Sequence, residues 1–390
     1  MSEAEKRFLL WIEKNLSIIA VIFGTALSLF IRYALKDIES ADYVIFLERW
    51  YNQILNGGGV DSLKEIVGNY NFLYQMCIAI MTYFPIKSLY AYKILSIVFD
   101  YLLAIIVAVL VWSVSDRDRK NKAVMAYLIV ICSPIVILNS AAWAQCDAIY
   151  VFWAVVAIYA LVKEKYLLSF IFLGISFSFK LQSIFILPFF LFTYFVKKKF
   201  SILNFIAIPL TMMCANLGGV LFGRSIFDIF FVYFNQANEY KQVALNYPSF
   251  WTLFFNSNNT IYYDSQHLVG MIMTVIVLAV LMILCIGKKI DLNNKNLIYM
   301  AFILTYTCVL FLPQMHERYG YLYEILAIIV LLLNIKTIKL IVPLYIITFS
   351  TYGKYLFGLS HSVDLYTGIA NTLVWFGYVS IILKELYKNE

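Results

Sequence analysis

Five short stretches of this 390-residue chain bring together side chains able to do chemistry. They are Asp42, the turn Asn69-Tyr70-Asn71 with Tyr74, Trp143-Ala144-Gln145-Cys146-Asp147, Lys180-Leu181-Gln182, and Pro313-Gln314-Met315-His316-Glu317-Arg318-Tyr319. Carboxylates of this kind take up protons, cations hold anions such as phosphate, and aromatic rings wall a groove or stack on a ligand. Each stretch stands at the end of an apolar run. A charge at such a mouth is costly where it meets lipid, so these groups are expected to pair or to line one wet cavity.

Taken singly, each has a plainer explanation. Trp143 suits an interfacial anchor, His316-Glu317-Arg318 a salt-bridged loop cap, and Lys180 a side chain snorkelling to the surface. Asp42 suits a helix N-cap. Asp100, inside the apolar run around Ser96-Ile97-Val98-Phe99-Asp100, needs a partner, either Lys93 or a hydrogen bond within the bundle. It is the agreement of the five stretches on one face that favours a shared cavity.

The elements that must position them are apolar. The chain is 63% hydrophobic and 14% charged, with a mean hydropathy of +0.81, more than a water-facing surface tolerates. Apolar runs near 16–35, 88–113, 123–141, 148–163, 166–180, 182–196, 202–222, 267–286, 297–313, 321–335, 340–353 and 368–384 predict about twelve transmembrane helices in a single integral membrane domain over 1–390. The stretch 72–86 is too short to span and ends beside Pro85, which predicts a re-entrant or interfacial segment. The charged start (Glu3, Glu5, Lys6, Arg7) without a small-residue cleavage site predicts a signal anchor.

Most of the 30 lysines and arginines fall in alternate connections, from Lys6, Arg7 and Lys14 through Arg117–Lys122 and Lys197–Lys199 to Lys384 and Lys388. The positive-inside rule makes that side cytoplasmic, places both termini there, and puts the five stretches on the extracytoplasmic face of the cell membrane. The net charge of +7 then describes anchoring loops, and nucleic-acid binding is a poor inference from it. Two long outer loops remain, at about 36–87 and 223–266; the first holds an apolar face from Val44 to Tyr51 that predicts an interfacial helix stopped by Gly57-Gly58-Gly59. Six scattered cysteines read as small core residues.

At these motifs the sequence resembles the GT-C superfamily of membrane glycosyltransferases, in particular bacterial proteins similar to the enzyme that adds the second mannose to GPI anchors. The matching residues are Glu39-Ser40-Ala41-Asp42-Tyr43 with Trp50-Tyr51, Asn69-Tyr70-Asn71 with Tyr74, Ser96 to Asp100, Asn139-Ser140 through Asp147, Phe177 to Gln182, and Pro313 to Tyr319. They run in the family's order from about residue 30 to 325. Two positions depart from its pattern: Ala144 stands in a Trp-Gly-Gln motif, and Phe72-Leu73 follow Asn71 where prolines are common.

The resemblance implies an all-α bundle of about twelve transmembrane helices with interfacial helices in its outer loops. It also implies an inverting hexosyltransferase that moves a sugar from a polyprenyl-phosphate donor, such as undecaprenyl phosphate, to a cell-envelope glycan or glycolipid. The first-loop carboxylate matching the family's base is Asp42, with Asp37 and Glu39 as fallback candidates. Arg318 is expected to clamp the donor phosphate, with Lys180 and His316 assisting. Glu39, Tyr70, Asn71, Tyr74, Trp143, Gln145, Asp147, Gln182, Glu317 and Tyr319 are expected to contact sugar or to support those that do. The expected partners are the bilayer, the lipid-linked donor and the glycan acceptor, with no nucleic acid and no cofactor; a divalent metal is compatible, but no ligand spacing indicates one. The competing expectation is a transporter or flippase of a lipid-linked glycan, which should show repeated halves or helices interrupted at midplane.

Overall fold

The computed structural model describes residues 1–237, 240–255, 262–358 and 365–387. Lys388 and parts of the second large loop lie outside the described residues. Among those described, the regular structure is entirely helical.

The first helix, α1 (Glu3–Ala34), is capped by Ser2 in reciprocal bonds with Glu5. A π-helical turn at Tyr43–Leu47 leads into α2 (Glu48–Asn56), which ends at Gly57 before Gly58 and Gly59 turn into left-handed backbone. After the short α3 (Phe72–Met81) comes the long α4 (Ser88–Val114). Next, α5 (Arg119–Cys132) meets α6 (Pro134–Ile137) and its π-helical extension Leu138–Ala142 at a bend of 45°. Pro134 has no N–H with which to continue the ladder, and the chain breaks there. The helices α7 (Asp147–Val162) and α8 (Tyr166–Phe179) follow, then α9 (Leu187–Lys197), entered through a 3-10 turn at Leu181–Ile186. Shorter pieces are α10 (Ala207–Ala215), α11 (Leu217–Leu221) and α12 (Asp228–Ala237). The chain closes with α13 (Tyr263–Gly287), α14 (Asn294–Phe311), α15 (Tyr321–Leu333), α16 (Ile338–Phe357) and α17 (Leu365–Leu386).

Among the described residues, α1, α4, α13, α16 with its lead-in turn, and α17 are long and apolar enough to cross a membrane, and the bent α5–α6 pair makes a sixth span if counted as one. The protein is therefore a multi-pass membrane protein. About twelve spans are not present among the described residues. Among the described residues, the shorter apolar helices run to 10–17 residues and α14 to 18, short of the about 20 that a hydrocarbon core requires. In α14 and α15 the apolarity goes with burial in protein: every residue of α14 from Asn296 to Phe311 and of α15 from Tyr321 to Leu332 is buried. A helix apolar all round has the same composition whether protein or lipid encloses it. By contrast, α1, α4 and α13 expose Phe23, Ile94 and Val275, as lipid-facing spans do. The expected GT-C bundle of about twelve spans with interfacial helices, and the superfamily assignment that implied it, are overturned by this architecture.

Inside the bundle α7 packs against both α4 and α8, α4 against α5, and α14 against α15. One ion pair is sunk among these helices. Arg32 of α1 reaches Asp100 of α4 at 2.9 Å through Nη2 and at 3.3 Å through Nε, and Ser140 donates to the same Oδ2 at 2.5 Å. Lys93, the ionic partner considered for Asp100, is occupied elsewhere.

Candidate functional site

Two turns are tied together before any charged cluster forms. Lys93 donates to the carbonyls of Leu35, Lys36 and Ile38 at 3.1, 2.8 and 2.7 Å, satisfying oxygens left open where α1 ends. Ser40 then donates to the Trp143 carbonyl at 2.9 Å and accepts the Tyr43 amide at 3.2 Å. Asp42, between these anchor points, is fixed against the 143–147 turn.

That turn leaves the helix for a backbone reason. The amides of Trp143 and Gln145 bond back to the carbonyls of Leu138 and Asn139, both at 2.9 Å, and Ala144 takes a φ of 61°. A left-handed alanine costs about 1 kcal/mol, offset by the bonds that fix its neighbours. The 312–320 loop contains a second such residue, Gln314, with a φ of 62°. Its amide donates to the Val243 carbonyl at 2.9 Å while the Met315 carbonyl accepts the Tyr247 amide at 3.2 Å, so the second large loop is pinned to the 312–320 loop.

The charged cluster lies where these turns meet. Asp42 Oδ2 accepts from Gln145 Nε2 at 2.7 Å, Trp143 Nε1 at 3.0 Å and Arg318 Nη2 at 3.3 Å. Among the described residues no donor bonds to Oδ1, and the side chain keeps 26% exposure. Arg318 Nη1 reaches Gln145 Oε1 at 2.8 Å and Asp147 Oδ2 at 3.2 Å. Asn139 donates to that same Asp147 oxygen at 2.8 Å, and Lys180 donates to the other. Glu317 completes the group, with Oε1 3.5 Å from Arg318 Nε and Oε2 3.8 Å from His316 Nδ1.

Three carboxylates thus surround Arg318 and Lys180. Burial works to lower the Arg318 pKa, but the charges of Asp147, Asp42 and Glu317 outweigh it and hold the guanidinium well above its ordinary value. Burial likewise works to raise Glu317; the bond and charge of His316 together with the charge of Arg318 prevail and hold it below the usual carboxylate value. Burial pushes the Tyr70 phenol well above its ordinary value, so it faces the site as a neutral hydroxyl.

Above the cluster is a cleft of about 210 Å³. Among the residues picked out from sequence, Asp42, Tyr70, Gln145, Lys180, Gln182, His316, Glu317, Arg318 and Tyr319 line it. Asp147 lies beneath, holding both cations. Trp143 is also beneath; its ring is 1% exposed, stacked on Tyr355 at 5.6 Å and covered by the Arg318 guanidinium at 5.3 Å. It serves Asp42 as a donor and presents no open face. Tyr74 is buried behind Tyr70 at 4.8 Å, and Asn71 caps α3 while donating to the Ile229 carbonyl at 3.2 Å. Glu39 is exposed and outside the lining. Asp37 is outside it too, paired with Lys36 at 2.7 Å and with the Tyr90 hydroxyl at 2.6 Å.

Other lining residues carried no clear sequence signal: Phe46, Gln236, Tyr240, Asn246 and Tyr355, together with Ser40 as the staple behind them. In a chain with 30 tyrosines and 32 phenylalanines an aromatic residue does not announce a site. Trp50, part of the interfacial helix and of the motif with Tyr51, has no role assigned from sequence, and it too lines the cleft. Among the described residues no group of three or more His, Cys, Asp or Glu side chains is placed to hold a metal ion. No family model matches the chain, and no curated protein matches it either.

Proposed function

We propose that this cleft transfers a sugar from a polyprenyl-phosphate carrier to a hydroxyl of a cell-envelope glycan or glycolipid. The observation that carries this reading is the one-sided grip on Asp42: three donors hold Oδ2, and Oδ1 is left to the cleft beside two cations. A carboxylate oriented in this way suits a general base. The acceptor hydroxyl gives its proton to Oδ1 as its oxygen bonds to the anomeric carbon. The bond from that carbon to the phosphate oxygen breaks, polyprenyl phosphate leaves, and the configuration inverts. Arg318, Lys180 and His316 offset the charge gathering on the departing phosphate.

A multi-pass protein suits this donor, because drawing a prenyl chain into water costs about 0.8 kcal/mol per methylene. The distribution of basic loops supports a reading with both termini in the cytoplasm and the cleft on the extracytoplasmic side.

The test is purified full-length protein in detergent with a panel of undecaprenyl-phosphate hexoses, read by thermal shift and donor consumption. The expected result is one donor that stabilises the protein and is slowly hydrolysed or transferred. A panel in which no donor binds or turns over overturns the reading.

A further inference from the structure

The cleft is not uniform in character. Its floor carries the charged groups, while one wall, formed by Trp50, Asn69, Gln236, Tyr240 and Asn246, is aromatic and neutral. Trp50 is mounted on that wall by its neighbours. Gly68 has a φ of +69°, and a Cβ added there would meet the indole at 2.5 Å, so glycine is what lets the ring lie close against the backbone. Tyr70 braces the indole edge-on at 5.7 Å and Phe46 at 6.0 Å. The ring is half-buried, and its N–H makes no hydrogen bond with the described residues.

The geometry points to a carbohydrate subsite on this wall, with Trp50 as the platform and a neutral pyranoside as its ligand. A rigidly seated indole offers an apolar plate to the C–H face of a sugar ring, and its free N–H meets a hydroxyl. The Asn246 amide, which both donates and accepts, suits a remaining hydroxyl. Charge decides between neutral and anionic sugars. The cleft's two permanent cations already face three carboxylates, and none of Trp50, Asn69, Gln236, Tyr240 and Asn246 carries a charge for a uronate or a phosphorylated sugar. This deepens the proposed transfer, on which it rests for the ligand's role as acceptor; binding itself does not depend on turnover.

Saturation-transfer NMR on the full-length protein in detergent, with neutral methyl glycosides and their glucuronide counterparts, tests the subsite. The expected result is transfer to the ring C–H face of a neutral glycoside, with the glucuronide at least about tenfold weaker. Trp50→Ala should weaken binding about tenfold or more, whereas Trp50→Phe, which keeps a plate, should stay within about threefold. Gly68→Ala should weaken it by displacing the ring. No transfer to any neutral glycoside, an equal signal from the glucuronide, or unchanged binding in a folded Trp50→Ala protein overturns the subsite. Sugar transfer with an unchanged acceptor KM in Trp50→Ala defeats the subsite and leaves the proposed reaction standing. Trp50-dependent glycoside binding without donor turnover does the reverse.

Discussion

The guanidinium of Arg318 lies 3.3 Å from the carboxylate of Asp42, on the same oxygen that Trp143 and Gln145 hold. The contact orients Asp42 and engages the cation. In the proposed reaction, donor binding draws Arg318 from a carboxylate to a phosphate.

Asp42→Asn should lower transfer about 100-fold or more while leaving donor affinity within a few fold. The amide oxygen of asparagine can take the place of Oδ2 and keep accepting from Trp143 and Gln145, so shape persists while basicity is lost. Single-turnover transfer and donor binding measured on one preparation separate the two. Near-normal transfer would remove Asp42 from the base role.

Arg318→Lys should weaken donor binding and turnover together, because an ammonium cannot bridge Asp42 and Asp147 as the planar fork does. Arg318→Ala should in addition destabilise the fold by about 3 kcal/mol, since Asp147 is 1% exposed and loses one of its two cations. Chemical denaturation in mixed micelles measures the loss. A change confined to acceptor affinity would contradict the phosphate assignment.

For the ion pair sunk between α1 and α4, Arg32→Met alone should destabilise by about 3 kcal/mol, because Asp100 is fully buried and keeps only Ser140 as donor. Adding Asp100→Leu should recover much of that loss, since two apolar side chains leave no uncompensated charge. A double mutant no more stable than Arg32→Met would show that the pair does not act as a unit.

Acid should loosen the 312–320 loop through Glu317. Its carboxyl is held below the ordinary value in the folded protein, so the unfolded chain binds its proton first as pH falls. The stabilisation it gives is complete above the unfolded value of about 4.3 and is lost as pH drops from there through the folded value. Glu317→Gln should flatten that part of the stability profile, and a profile unchanged by the substitution would count against the coupling with His316 and Arg318.

Legibility of the sequence followed cost. Charged and amide residues at the ends of apolar runs stood out because lipid penalises them, and this is why Asp42, Gln145, Lys180 and Arg318 were noticed before any geometry was known. The helices α1, α4 and α13 were readable from length and charge breaks. Hydropathy does not distinguish a protein neighbour from a lipid one, so the buried α7, α14 and α15 carry the same signal as a span. Pairings across helices were illegible: Lys93 shares α4 with Asp100 and was a natural local partner, whereas Arg32 meets it only once α1 docks. Ser40 was hidden for a similar reason, since a hydroxyl's value depends on the carbonyl it finds.

Arg318 follows Asp42 by 276 positions, and the bond between them closes only when that late segment has been made and seated. Until then Asp147 has Lys180 but not Arg318, and the Asp42 side chain lacks its third donor. The cleft is therefore a record of completed biogenesis: a chain released before its 312–320 loop docks carries Asp42 and Asp147 unjoined, without the guanidinium that bridges them. Long sequence separation makes that closure late in folding.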